Sequence, residues 1–287
     1  MAQVINTNMM SMNSQRQLNR SQMSMQTSLE RLSSGLRINR AKDDAAGLAI
    51  SERITSQVRG LDQAIRNAND GISLVQTAEG ALDEITNALQ RMRELSIQAK
   101  NGTYNASDRS SLNDEYNALR AEVVRTARVS EFNNISLLGQ STNIDLQVGW
   151  ENGANNIITL SIHPLMSASF GGGGILSAVG ASVASNNRTS ILTVAGASIA
   201  MARMDSAIQT INDMRADFGA IQNRLESAVR NMENVIENQS AARSRIQDAD
   251  FARETANLTR TQILQQAGTA MLAQANQLPQ NVLSLLQ

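Results

Sequence analysis

The sequence predicts a mainly α fold: an elongated helical bundle whose two ends pair as a coiled coil, with a small β-hairpin region in the middle. The 287 residues contain only two prolines and 2% aromatic residues, which favours long helices over a large aromatic core. Apolar residues recur at alternating spacings of three and four along most of the chain, as in coiled coils. Between residues 140 and 165 the apolar period becomes two, which indicates β-strands.

Residues 1–44 predict an N-terminal inner helix that ends near Gly35. Its apolar stripe, interrupted by polar Gln22, is expected to form one side of the coiled-coil seam and consists of Leu18, Met25, Leu29, Leu32 and Leu36. Asp43 and Asp44 then stand where a side chain can cap the next helix.

Residues 45–139 predict the N-terminal half of a shell domain made of long helices. One stripe runs from Ile54 to Met92 with a change of phase near Ala78, and Asn101-Gly102 ends that helix. A shorter helix is expected to begin at Ser107 or Asp108. Residues 140–192 predict a β-hairpin followed by a Gly/Ser-rich surface loop over 167–190.

Residues 193–245 predict the C-terminal half of the shell domain, and a break before Asp250 leads into the last helix, residues 246–287. The last helix has its own stripe, which includes Gly268 and is expected to complete the inner seam with Leu264, Met271, Ala275, Leu278, Val282 and Leu285. Such heptads also fit an ordinary intramolecular bundle, so the pattern alone does not decide between a bundle and an assembly.

The charge distribution at the two ends favours assembly. Residues 1–15 and 261–287 contain no charged side chain, yet neither is apolar for the roughly 20 residues that span a bilayer. A free monomer would expose the C-terminal stripe without charges to keep it soluble. The N-terminus also lacks the basic region and continuous apolar core of a cleaved secretory signal.

Composition argues against other functions. A net charge of −1 gives no electrostatic basis for binding nucleic acid or an anionic membrane, and there is no cysteine. The only histidine, His163, has no cluster of metal-ligating residues around it, so it is expected at the surface. We therefore expect no enzyme activity and no cofactor.

Long stretches of the chain resemble bacterial flagellin. The similar segments cover about residues 1–140 and 200–287 and include Met1–Asn8, Ser33–Asn39, Ala41–Ile50, Asp70–Leu82, Gly219–Glu226 and Ala270–Asn276. Flagellins commonly carry β-rich outer domains in the middle, where this chain has room only for the hairpin and loop. It therefore looks like a short form without the large outer domains.

The resemblance implies a structural subunit that polymerises into the flagellar filament for swimming motility. It implies export, unfolded and uncleaved, through the flagellar type III route to an extracellular location. The implied partners are other copies of the chain, an export chaperone at the C-terminal helix, and the filament cap and hook-junction proteins. The alternative is a hook–filament junction or cap-type protein, which would share the helical ends. The His-Glu-x-x-His motif of protease-bearing flagellins does not occur.

One helical stretch, Leu89–Gln98, resembles the flagellin segment that a vertebrate toll-like receptor recognises. The receptor-facing positions carry over as Arg91, Leu95 and Gln98, with Glu115 on the adjacent helix. The alternative reading is that this face exists for contacts between protofilaments. Both readings expect these four side chains at the surface.

Overall fold

The structure, a computed structural model, describes residues 7–139, 142–162 and 190–284, with backbone alone for residues 142 and 278–284. These residues divide into two compact units. The terminal unit comprises Met1–Val58 with Glu237–Gln287, and the central unit comprises Arg59–Ile236. The predicted 167–190 loop and His163 lie outside the described residues. The five-part division expected from the sequence stays a prediction.

The described chain is mainly α-helical with a small β region, which confirms the predicted fold class. No described helix is long and apolar enough to cross a membrane. The elements in chain order are α1 (Met9–Ser34), α2 (Ala45–Lys100), α3 (Ala106–Val129), β1 (Glu131–Phe132), β2 (Ile135–Ser136), β3 (Thr142–Gln147), β4 (Ile157–Ile162), α4 (Val194–Gln247) and α5 (Phe251–Ser284).

Local side-chain and backbone chemistry sets several helix ends. Gly35 follows α1 with φ of 72°, a left-handed conformation that glycine adopts without strain. At the start of α2, Asp44 Oδ1 accepts a hydrogen bond from the Gly47 amide at 2.9 Å. At the start of α5, Asp250 Oδ1 accepts one from the Ala252 amide at 2.9 Å. Both aspartates therefore cap helices, and for Asp44 this is the role that the sequence predicts.

Two features near α3 differ from the sequence prediction. The helix begins at Ala106, before the expected Ser107 or Asp108, because Asn105 and Asp108 form a reciprocal capping box. After α3, a tight antiparallel hairpin of β1 and β2 was not predicted. Its two central residues, Asn133 and Asn134, have φ of 48° and 62°. Asparagine tolerates this backbone region, and it suits a two-residue hairpin turn.

The central unit has a continuous apolar core. Its buried side chains come from α2, α3, α4 and β4 and include Leu82, Ile85, Leu89, Met92, Leu95, Tyr116, Val123, Leu160, Met204, Ile211 and Phe218. A second cluster joins α2, α4 and the β3–β4 hairpin through Leu61, Ala64, Ala68, Ile158, Leu225 and Met232. Burial of these side chains is the main force that holds the unit together.

The β3–β4 hairpin packs closely on α2. Ile158, Leu160 and Ile162 alternate with exposed residues and are buried, so the predicted period of two has one face towards the core. On β3, Leu146 lies against Gly71 of α2, where a Cβ atom would collide with Leu146 Cδ1. Glycine at position 71 therefore allows the strand to approach the helix.

Candidate functional site

The two terminal helices, α1 and α5, pack against each other in antiparallel directions. Asn8 Nδ2, just before α1, donates to the carbonyl oxygen of Ala275 near the end of α5 at 2.7 Å. Further along α1, Ser21 Oγ donates to the carbonyl oxygen of Thr261 at 3.2 Å. The structure therefore brings together the two ends that the sequence predicts to pair.

Small and polar side chains form much of the interface between these helices. The residues facing across it are buried or half-buried and recur at spacings of three and four: Ser11, Ser14, Leu18, Ser21, Met25, Ser28 and Leu32 on α1, and Glu254, Leu258, Thr261, Gln265, Gly268, Leu272 and Ala275 on α5. A Cβ atom at Gly268 would lie 3.0 Å from Leu18 Cδ1. Small residues such as Gly268 thus let the two helix backbones approach closely.

This interface contains only part of the predicted seam. Leu18, Met25, Leu32 and Ala275 lie on the facing sides of the helices. Leu29, Leu264 and Met271 are 47%, 50% and 62% exposed, so α1 and α5 do not bury them against each other. Their place in the predicted seam therefore stays a prediction for an assembly of copies. Within one chain, the face between α1 and α5 combines leucine and methionine with serine, glycine and threonine.

The remaining seam predictions concern residues near the helix ends. Leu36 lies beyond the end of α1 and joins Asp248 in an isolated antiparallel β-bridge, so its predicted place in the helical seam is wrong. Leu278 and Val282 fall in α5, but their side chains are outside the described part of the structure, and Leu285 is outside it altogether.

A buried ion pair lies in the α1–α5 interface. Glu254 Oε1 accepts a hydrogen bond from Arg31 Nη1 at 3.1 Å, and its Oε2 accepts one from Ser28 Oγ at 3.0 Å. The Glu254 side chain is 8% exposed, against 29% for Arg31. A buried pair adds little net stability but strongly disfavours registers that leave either charge unpaired. We therefore expect this pair to favour the observed alignment of α1 and α5.

The terminal unit leaves a large apolar surface uncovered. Exposed large apolar side chains on α1 and α5 are Met9, Met10, Met12, Met23, Leu29, Phe251, Ile263, Leu264 and Met271. A groove of about 440 Å³ between the two helices is lined in part by Leu18, Leu264 and Met271. Leu264 and Met271 lie together at this groove, and exposed apolar residues that cluster in this way indicate an interaction site. The absence of charge beyond residue 261 strengthens that reading.

A second candidate surface lies on α2 and α3 of the central unit. Arg91 is exposed and bridges two carboxylates, with Nη1 3.0 Å from Glu94 Oε2 and Nη2 2.9 Å from Glu115 Oε1. The hydrogen bonds that Arg91 donates to the carboxylates of Glu94 and Glu115 raise the pKa of Arg91 above its ordinary value. Gln98, also exposed, donates from Nε2 to the Tyr104 hydroxyl at 3.0 Å. Arg91, Gln98 and Glu115 thus belong to one polar face.

The prediction for Leu95 is wrong. Its surface exposure is 0%, and it packs in the core cluster with Leu89 and Met92. Four residues at 3.6 per turn place Leu95 about 40° around the helix from Arg91. Because more than one neighbouring element packs on α2, a rotation of this size is enough to bring Leu95 into the covered part of the helix surface. The exposed apolar side chain beside this face is Ile97, which the sequence reasoning missed.

Glu94 was also missed as a member of this polar face. Its spacing of three from Arg91 on one helix could have predicted the ion pair. Among the described residues, no group of three or more His, Cys, Asp or Glu side chains could hold a metal ion.

Comparison with known proteins identifies the family. Residues 5–143 match the bacterial flagellin N-terminal helical region, and residues 201–286 match the bacterial flagellin C-terminal helical region. The chain belongs to the bacterial flagellin family. Flagellins are structural proteins that assemble into the extracellular flagellar filament, so this flagellin is a filament subunit and not an enzyme, as the sequence predicts.

Individual relatives agree with this placement. A flagellin of Halalkalibacterium halodurans is 46% identical over 285 residues, covering 99% of this chain and 100% of the relative. A flagellin of Treponema pallidum is 44% identical over 293 residues with the same coverage. The chain is therefore a short flagellin. A solved hook-associated protein of Vibrio parahaemolyticus has a TM-score of 0.58 and covers 72% of this chain and 100% of its own, but at 14% identity it shows the fold alone.

Proposed function

We propose that the uncovered apolar face of the terminal unit joins copies of this flagellin in the filament. The observation that supports this most directly is the exposure of Leu264 and Met271 on a helix without charges beyond residue 261. Covering such side chains with a second copy contributes about 1.5–3 kcal/mol for each one that becomes fully buried. The predicted seam of Leu29, Leu264 and Met271 would then close between copies and not between α1 and α5 of one copy.

The test places a charge on this face. Met271→Asp should abolish filaments, because burying an unpaired carboxylate costs on the order of several kcal/mol in every subunit. Met271→Leu is the matched control and should assemble normally. Both variants should leave the unfolding of the central unit unchanged. Electron microscopy of purified protein gives the readout, and normal filaments from Met271→Asp would contradict the proposal.

We also propose a function for the polar face formed by Arg91, Glu94, Gln98 and Glu115. A guanidinium between two carboxylates, with exposed Ile97 beside it, offers the mixture of arginine and apolar surface found at interface centres. In the filament this face would contact a neighbouring protofilament. In the monomer it would be free for the vertebrate toll-like receptor that recognises flagellin. Leu95, being buried, has no part in either contact.

A matched pair of substitutions on α2 tests this face. Arg91→Ala should weaken receptor signalling by monomer at least about tenfold and should also impair filament assembly. Arg66→Ala removes another exposed arginine of the same helix, which bonds Gln63 within α2, and should change neither. Equal signalling from the two variants would remove the receptor half of the proposal, and equal assembly would remove the protofilament half.

For export, we propose that the chain leaves the cell unfolded and uncleaved through the flagellar type III route. An export chaperone would cover α5 before assembly, and the cap and hook-junction proteins would meet the subunit at the filament ends. The support is the apolar face of α5, which needs a cover while the subunit is unassembled. Removing residues 251–284 should abolish chaperone binding measured by co-purification. Binding that survives this deletion would place the chaperone elsewhere.

A further inference from the structure

The methionines of this flagellin differ sharply in exposure between the two units. In the central unit, the described buried ones are 0–6% exposed: Met92, Met204, Met214 and Met232. In the terminal unit, those here called the exposed methionines are 52–71% exposed: Met9, Met10, Met12, Met23 and Met271. Met25 of the terminal unit and Met201 of the central unit are half-buried, so the contrast is between these buried and exposed sets of methionines.

We propose that the exposed methionines form a reversible oxidation site that controls whether the subunit can assemble. This inference rests on the proposed use of the terminal unit's apolar face as the contact between copies. The oxidant is hydrogen peroxide: the thioether sulfur attacks one peroxide oxygen and the O–O bond breaks. The departing hydroxide takes the proton of the transferred OH group and leaves as water. Sulfur is oxidised to the sulfoxide, peroxide is reduced, and no further reactant is needed.

The change in polarity explains why oxidation would block assembly. A sulfoxide is polar and chiral and disrupts methionine-rich contacts that the thioether stabilises. Burying its oxygen between subunits without a hydrogen-bond donor carries a desolvation cost. Met9, Met10 and Met271 lie in the uncharged segments, residues 1–15 and 261–287, whereas Met12 and Met23 have Arg16 and Arg20 within one helical turn. The desolvation cost is therefore expected mainly at Met9, Met10 and Met271. One oxidised side chain in each subunit would therefore weaken every copy of the contact.

The same distribution spares the central unit. Met92 and Met204 belong to its continuous core, so a peroxide reaches them only when the core opens. The oxidised subunit would keep a folded central unit while its terminal unit could not bind a second copy. Reduction of the sulfoxides by methionine sulfoxide reductases, which act on one epimer each, would restore assembly.

The first measurement tests selectivity and does not depend on assembly. Full-length monomer is treated with hydrogen peroxide, the reaction is quenched at intervals, and peptide mass spectrometry follows the gain of one oxygen at each methionine. We expect the exposed methionines to react at least about tenfold faster than the buried ones. Equal rates in the two groups would overturn the proposal.

The second measurement tests the consequence for assembly. Peroxide-treated wild-type monomer should form fewer than about one tenth of the filaments of untreated monomer, and reductase treatment should restore them. The matched control replaces all five exposed methionines with leucine, and its filament yield after peroxide is compared with its own yield before peroxide, which peroxide should not lower. Assembly of oxidised wild type, failure of reductase rescue, or loss of assembly in the peroxide-treated leucine variant would each overturn the oxidation switch. Failure of untreated wild type to assemble would contradict the proposed function instead, with the selectivity result still standing.

Discussion

The terminal and central units are both built from helices with apolar residues three and four apart, yet they use this pattern in opposite ways. In the central unit the large apolar side chains are buried together in one core, which contains Leu89, Met92 and Phe218. In the terminal unit, α1 and α5 pack through small polar residues together with leucines, and they leave Leu264 and Met271 at least half exposed. Apolar spacing therefore predicts a helix, but it does not say whether the stripe is covered within the chain or by another copy.

The difference has an energetic consequence. The stability of helices in proteins comes mainly from packing of their apolar faces and less from intrinsic propensity. The central unit has such packing around a shared core, whereas many of the side chains packed between α1 and α5 are small or polar. We expect the terminal unit to be marginally stable in the monomer and to gain its stability on assembly.

The largest expected difference comes from two phenylalanines in different units. Phe218→Ala, at a position that is 2% exposed in the core, should destabilise the central unit by about 3–5 kcal/mol. Phe251→Ala, at a position 58% exposed, should change monomer stability by less than about 0.5 kcal/mol. Denaturant unfolding of both variants gives the values. Similar losses from the two substitutions would break the contrast between the units.

Alkaline pH should act on the central unit through Tyr116. Burial raises the pKa of its hydroxyl to about 12, and among the described residues the hydroxyl has no hydrogen-bond partner. The unfolded chain loses this proton near pH 10 and the folded chain only near 12, so stability is full below 10 and falls by about 2–3 kcal/mol as pH rises between the two. The free energy of unfolding, measured across this pH range, should fall in wild type. In Tyr116→Phe the part of this fall that comes from Tyr116 should be absent. Identical slopes would show that Tyr116 is not the cause.

In the terminal unit, the strongest effect of a single charge should come from Glu254. Glu254→Gln leaves Arg31 without its carboxylate partner, and since Arg31 is partly exposed we expect a loss of about 1–3 kcal/mol in the α1–α5 pair. Glu30→Gln is the control in the same unit, because Glu30 pairs with Arg40 at the surface and should cost at most about 1 kcal/mol. Hydrogen exchange of α1 measures both, and a larger effect from Glu30 would contradict the assignment.

The smallest expected effect on stability comes from replacing two glycines of α2, which should act in opposite directions. Gly71→Ala forces a Cβ against Leu146 and should destabilise the central unit by about 1 kcal/mol despite the better helix propensity of alanine. At Gly80 a Cβ would meet nothing within 4 Å, so Gly80→Ala should stabilise it by about 0.5–1 kcal/mol. Thermal unfolding of the two variants should therefore shift in opposite directions. A stabilising Gly71→Ala would show that the β3–β4 hairpin moves away without cost.

Much of the architecture could be read from local chemistry. Gly35, Asp44 and Asp250 stand at helix ends because a left-handed glycine and capping carboxylates act over a few residues. The alternation that predicts β3 and β4 is equally local. The β1–β2 turn at Asn133-Asn134 was missed because strands of two residues leave no periodicity to detect.

The candidate surfaces were harder to predict because they depend on neighbouring elements. Leu95 lies only about 40° from exposed Arg91 around α2, so its burial depends on how far neighbouring elements extend, which spacing does not reveal. Likewise Leu29 and Ser28 are adjacent in sequence, and the buried one is the serine. Hydrophobicity alone predicts that Leu29 is the buried residue. Ser28 is buried instead, because a small side chain fits where the two helix backbones approach closely.

Hydrogen exchange of the monomer, resolved by peptide, tests the central claim most directly. We predict that amides of α1 and α5 exchange at least about a hundredfold faster than those of α3 and of residues 59–100 in α2, which corresponds to about 3 kcal/mol in local opening. In assembled filaments the same terminal amides should become protected. Equal protection of the terminal and central units in the monomer would contradict the account, since the terminal helices would then need no second copy for their stability.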